Sequence, residues 1–190
     1  MKLLATVAIF VAGLATCSVG AAAHSFNVGL VVAFTESTDT RQVRDGFLLA
    51  ARERDGHPDE EADGHLGGLD VYIYSVDLER ESLAGVRALL QREQIDILAV
   101  IGPDGAAEKI GTLIAGSRTV LLAPGRLRST SMEAFTNAFQ AAFGYPPSTP
   151  AAEGYNAGRR VDVAVRPLGG VDDRAALRRA FNKSRDGLDR

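Results

Sequence analysis

The densest run of possible ligand atoms lies between His57 and Asp70. It reads His57-Pro58-Asp59-Glu60-Glu61-Ala62-Asp63-Gly64-His65-Leu66-Gly67-Gly68-Leu69-Asp70. Counted from Asp59, carboxylates fall at the first, third, fifth and twelfth places (Asp59, Glu61, Asp63, Asp70) and Gly64 at the sixth, the outline of a calcium loop. The outline departs from the usual pattern in three ways. Glu61 stands where Asp or Asn is common, Asp70 stands where a bidentate Glu is common, and a strand rather than a helix is expected to follow. His57 and His65 could instead join these carboxylates around a transition metal. The plainer reading is an acidic, solvated connection between two elements.

Catalytic machinery is hard to find. There is no Gly-x-Ser-x-Gly, no phosphate-binding loop with its lysine, and one cysteine, Cys17. Of the three histidines, His57 and His65 belong to the acidic run and His24 lies near the amino end. Asp77 closes an apolar run, a place where acids can catalyse, but its position before a helical pattern suits a capping or structural role. No catalytic residue and no cofactor is expected, and the chain is read as a non-enzyme. Acidic and basic side chains nearly balance, 24 against 21 for a net charge of −3, so nucleic acid is not an expected partner. Most of the positive charge is arginine, since Lys2, Lys109 and Lys183 are the lysines.

The elements that would position any site begin after a leader. Met1-Lys2 precedes an apolar run from Leu3 to Ala15, and Gly20-Ala21-Ala22-Ala23 supplies small residues for cleavage. Residues 1–23 therefore read as a signal peptide, with residues 24–190 exported as a single domain. Leu14-Ala15-Thr16-Cys17 admits a rival reading as a lipobox, with anchoring through Cys17. In either case the apolar run is shorter than a membrane span of about 20 residues.

Beyond the leader the apolar period switches between strand and helix. Asn27 to Phe34 is a buried strand, and Thr40 to Arg54 a helix with Val43, Phe47, Leu48 and Ala51 inward, capped by Thr38 or Asp39 and stopped at Gly56. Leu69 to Val76 is a second strand, followed by a helix carrying Leu83, Val86, Leu89 and Leu90 that Ser82 could cap. Ile95 to Ile101 is a third strand, Ala106 to Ala115 a helix, and Thr119 to Ala123 a short fourth strand. The fold class is thus α/β, a βαβαβαβ parallel-sheet, Rossmann-like three-layer lobe over residues 24–126. Helices follow over residues 129–183: Met132 to Phe143 behind Ser131, then Ala151 to Arg166, then Asp172 to Asn182. Val161 to Val165 also alternates in a strand-like way, and the polar tail from Ser184 is expected to fray.

In this order the residues carry a resemblance. Val28-Gly29-Leu30-Val31, Asp45-Gly46-Phe47-Leu48-Leu49-Ala50 and Ile95-Asp96-Ile97-Leu98-Ala99-Val100-Ile101-Gly102-Pro103 resemble the first lobe of periplasmic solute-binding proteins of the leucine/isoleucine/valine-binding type. Phe139-Gln140-Ala141-Ala142-Phe143-Gly144-Tyr145-Pro146-Pro147 and Ala151-Ala152-Glu153-Gly154-Tyr155-Asn156-Ala157 resemble that family's late segment. Between Arg126 and Ser129 the likeness jumps, as though most of a second lobe were omitted.

The resemblance implies one lobe of a type 1 periplasmic binding fold, exported to the periplasm and associated with an ABC transporter. Its ligand would be an amino acid or a related small carboxylate, held beyond the carboxyl ends of the strands. The residues it places there are Thr35, Glu36, Gly102, Pro103, Asp104, Gly105, Ala106, Pro124, Gly125 and Arg126. The correspondence is incomplete: the family's carboxylate-gripping serine falls on Ala106, and Asp104 adds a negative charge nearby. With half the enclosing surface missing, the alternative is a non-catalytic interaction or dimerisation module, whose uncovered cleft face would meet a transporter component or a second copy.

Overall fold

The computed structural model describes residues 25–34, 37–53, 55, 61–103, 105–123, 125 and 132–185. The expected leader and Cys17 lie outside them, as does the end of the tail. Strand β1 (Ser25–Val32) leads into helix α1 (Ser37–Arg52), then β2 (Gly64–Leu66), β3 (Leu69–Asp77) and α2 (Leu78–Glu93). There follow β4 (Ile97–Ile101), α3 (Ala106–Leu113), β5 (Val120–Leu122), α4 (Met132–Phe143), α5 (Thr149–Val165) and α6 (Arg174–Lys183). The sheet order is β2-β3-β1-β4-β5, with β3, β1, β4 and β5 parallel. This is the expected α/β lobe.

Alternation within the apolar strands builds two cores, because successive side chains leave opposite faces. Ile97, Ala99 and Ile101 join Val28, Leu30 and Phe47 on the face covered by α1, α5 and α6. Leu98 and Val100 join Val31, Val86 and Ile110 on the face covered by α2 and α3. A third cluster contains no strand residue. Phe135 and Phe139 of α4 pack on Leu49 and Ala50 of α1 and on Ala151 and Tyr155 of α5, so α4 adds a layer to the expected three.

Helices α1 and α5 meet backbone to backbone. A Cβ on Gly46 would lie 2.0 Å from the Ala151 carbonyl oxygen, and one on Gly154 2.1 Å from that of Val43. One turn on, a Cβ on Gly158 would meet the Ala50 methyl at 2.7 Å. Only residues without side chains permit that separation.

Four expectations need correction. The acidic run does not simply feed a strand: Gly64–Leu66 pairs antiparallel with β3, so the sheet is mixed. The hairpin turns on Gly67 and Gly68, whose φ values of 67° and 84° are what a two-residue turn requires. Helix α1 starts at Ser37, so Thr38 and Asp39 fall inside its first turn. Helix α2 starts five residues before Leu83, because Asp77 caps it by accepting from the N–H groups of Glu79 and Arg80. Val161 to Val165 is helical: Asp162, 3% exposed, must point into the protein, where it accepts from the Gly67 N–H and pairs with Arg166. No helix among the described residues is long and apolar enough to cross a membrane.

Two outcomes are expected. Phe47→Ala, at a fully buried site, should lower unfolding free energy by about 3–5 kcal/mol in denaturant titrations, and a near-neutral value would contradict the assignment of the α1 face. Gly154→Ala should cost roughly 3 kcal/mol, since its methyl must push two helices apart. A neutral Gly154→Ala would mean that α1 and α5 do not touch backbone to backbone at this position.

Candidate functional site

The chain runs from β1 to β3 on one side of the sheet and then crosses to β4 on the other. In such sheets ligands gather beyond the carboxyl ends of the strands where the order reverses. A cleft of about 430 Å³ lies at this edge, on the face of α2 and α3. Ala33 and Pro103 form its floor at the ends of β1 and β4, and Leu78, Leu83, Ala106 and Ile110 supply apolar walls. Its polar groups are Ser82 and Lys109.

The floor is held shut beneath the cleft. Ala33 donates its N–H to the Ile101 carbonyl at 2.9 Å, and a Cβ on Gly102 would lie 2.8 Å from that of Ala33. The chain then leaves β4 through Gly102 and Gly105, with φ of 157° and 87°. Gly105 is the N-cap of α3 and has no side chain to offer; the Ala106 N–H donates to the Pro103 carbonyl at 3.2 Å, and among the described residues no side-chain acceptor meets the next N–H groups of that helix. They present positive partial charge at the cleft, where Lys109 adds a full one.

The opposite wall contains a break in α2. Ser82 has φ 57° and ψ −173°, a region open almost only to glycine, and the helix restarts beyond it with the Ser82 Oγ accepting weakly from the Ala84 N–H at 3.4 Å. Asp77, at the start of α2, is committed elsewhere. Besides capping the helix it accepts from the Thr40 hydroxyl at 3.0 Å, and its carboxylate lies 3.8 Å from Arg80. Its expected capping role is what its bonds display.

Of the residues expected at the ligand, Pro103 and Ala106 line the cleft, with Gly102 and Gly105 shaping its turn. Thr35, Glu36, Asp104, Pro124 and Arg126 lie outside the described residues. Gly125 is on the other side of the sheet, packed against Arg160 and Asn156 of α5. Sequence reasoning missed Ser82 as a residue of the cleft, which it lines from the facing helix. Its own position gave little warning, since an N-cap serine and a strained one read alike.

No family model and no curated protein matches the chain. Among solved structures it is similar to an ABC transporter substrate-binding protein from Sphaerobacter thermophilus, at 13% identity over 83% of this chain and 85% of that one, with a TM-score of 0.47. A likeness of that size assigns neither ligand nor partner.

The described part of the acidic run makes bonds within the protein. Asp63 accepts from Arg44 at 3.0 Å and from the Ile73 N–H at 2.8 Å. His65 sits between two carboxylates, with Nδ1 2.9 Å from Asp55 and Nε2 2.8 Å from Asp70. Glu61 is exposed, while Asp59 and His57 lie outside the described residues. Among the described residues no group of three or more such side chains is placed to hold a metal.

The strain at Ser82 is testable. Ser82→Gly should raise stability by about 1 kcal/mol relative to Ser82→Ala, measured by denaturant midpoints, because glycine accepts that backbone without penalty. If the glycine variant is the less stable of the two, the break in α2 is not strained.

Proposed function

We propose that this chain is an exported, periplasmic solute-binding-type protein that works with an ABC transporter and takes amino acids or related small organic acids. It is non-catalytic in this reading. The observation that carries the proposal is the cleft at the carboxyl edge of the sheet. Apolar walls from Leu78, Leu83 and Ile110 suit a short hydrocarbon body, and the uncapped start of α3 with Lys109 suits its carboxylate. The family resemblance of the strand ends points to the same edge.

A thermal-shift screen of the purified chain against amino acids and small carboxylates tests this. A ligand at 100 times its dissociation constant should raise the midpoint by about 5 °C. Lys109→Met should weaken that ligand roughly tenfold while leaving the ligand-free midpoint unchanged, since the side chain is exposed. Absence of any hit, or a hit indifferent to Lys109, would refute the assignment. One observation favours a second reading: Leu83 is 43% exposed at the cleft, an apolar group that a second copy or a transporter component would cover. Sedimentation at micromolar concentration separates the two, because a dimer broken by Leu83→Glu supports the interface and a monomer removes it.

A further inference from the structure

Helix α6 opens the most cationic stretch of the chain. Arg174, Arg178, Arg179, Lys183 and Arg185 fall within a dozen residues that hold no Asp or Glu. Counted on to Arg190, six cations stand against Asp186 and Asp189, while residues 1–173 hold 15 cations and 22 acids. A chain that is acidic elsewhere therefore gathers a surplus of positive charge in one place.

Burial fixes which side of α6 meets water. Leu177 and Phe181, 0% and 3% exposed, join the core on the sheet. Arg178, Arg179 and Lys183 are exposed and share the opposite side of the helix, with Arg185 exposed just past its end. Arg174 pairs with Asp96 at 2.6 Å, and among the described residues no carboxylate pairs with the other four. Within the core beside them, Arg160 donates to the Ser184 hydroxyl and to the Ala123 and Phe181 carbonyls, three neutral oxygens that leave its charge to add to theirs. The helix is pinned at both ends. Asp173 accepts from the Ala176 N–H at 2.8 Å at its start, and Arg160 holds the Phe181 carbonyl at 3.0 Å near its close.

The chemistry of this side selects its partner. Its other exposed residues are Ala175 and Asn182, and none of the exposed large apolar side chains belongs to α6. A protein interface needs a desolvated centre rich in aromatic groups, which α6 does not offer. A sheet of phosphates asks only for charge, and guanidinium forks match it. The acidic run lies with β2 and β3 at one edge of the strand order, and α6 packs on β5 at the other, so a flat anionic surface can meet α6 away from those carboxylates. We propose that the exposed side of α6, through Arg178, Arg179, Lys183 and Arg185, docks the protein on an anionic lipid surface. The contact is electrostatic and nothing inserts. The cleft lies on the opposite face of the sheet and stays open to solution while α6 is docked.

The test is co-sedimentation of the full chain with vesicles of phosphatidylglycerol and phosphatidylcholine in equal parts, against vesicles of phosphatidylcholine alone. The apolar run at residues 3–15 is common to every variant, so the quantity read is the preference for the anionic vesicles. That preference should be strong at about 0.05 M salt and fall steeply by about 0.3 M. Each cation near such a surface accounts for about a fivefold change in affinity, so Arg178→Gln with Arg179→Gln and Lys183→Gln should weaken binding about a hundredfold. The pair Arg178→Gln with Lys183→Gln serves if the triple variant does not fold. Arg80→Gln with Arg87→Gln and Arg92→Gln removes the same charge from exposed positions on α2, and should retain the preference. No preference for anionic vesicles, binding indifferent to salt, or equal losses in the α6 and α2 variants would each overturn the proposal. Capture on immobilised polyglutamate that needs α6, without vesicle binding, would assign an acidic protein as the partner and overturn it as well.

Discussion

The contact on which the rest of the molecule depends is the one between α1 and α5, where two helix backbones touch across Gly46 and Gly154. The two glycines are about a hundred positions apart in the chain, so this contact fastens the late helical segment onto the early βα lobe. Its effects spread outward. With α5 seated so low, Val161 and Val165 reach the sheet core, Asp162 reaches the β2–β3 turn, and Tyr155 faces the aromatic side chains of α4. A wider separation would break these together, because core packing tolerates little displacement.

The two faces of the sheet then differ in character. One is covered by α2 and α3 and opens at its carboxyl edge into an apolar cleft with a lysine. The other is covered by α1, α5 and α6, and its polar groups are internal: Asp162 has its charge answered by Arg166, whereas Arg160 meets neutral oxygens. Both features lie at ends of parallel strands, where helix termini and irregular backbone leave hydrogen-bonding groups without partners.

Much of this was legible in the residues. The apolar runs at 27–34 and 95–101 suit strands buried on both sides, and the pattern from Met132 to Phe143 behind Ser131 marked α4 over the span it occupies. The misses have physical reasons. The hairpin at Gly67-Gly68 carried the usual turn signal, but the acidic residues around it drew the reading toward a loop. Asp77 and Ser82 are both good caps, and sequence alone does not tell which of two starts a helix will use when it uses both. The site was the least legible part. Ser82 and Lys109 stand 27 residues apart and meet only across the α2–α3 face. The burial of the polar Asn156 and Arg160 depends on how deeply α5 sits, which composition and periodicity do not encode.

Helix α1 has walls on two sides, strand residues beneath Phe47 and Leu48 and the aromatic layer of α4 over Leu49 and Ala50. Surface helices keep one polar stripe in water and can fray along it, but α1 has buried residues at 43 and from 46 through 51. The amide protons of residues 46–51 can therefore meet solvent only when the aromatic layer and the sheet core both open. In hydrogen exchange the buried stretch of α1 would report the global unfolding free energy, while α4, which meets the sheet core through Phe143 at its end, could detach at lower cost as a separate unit.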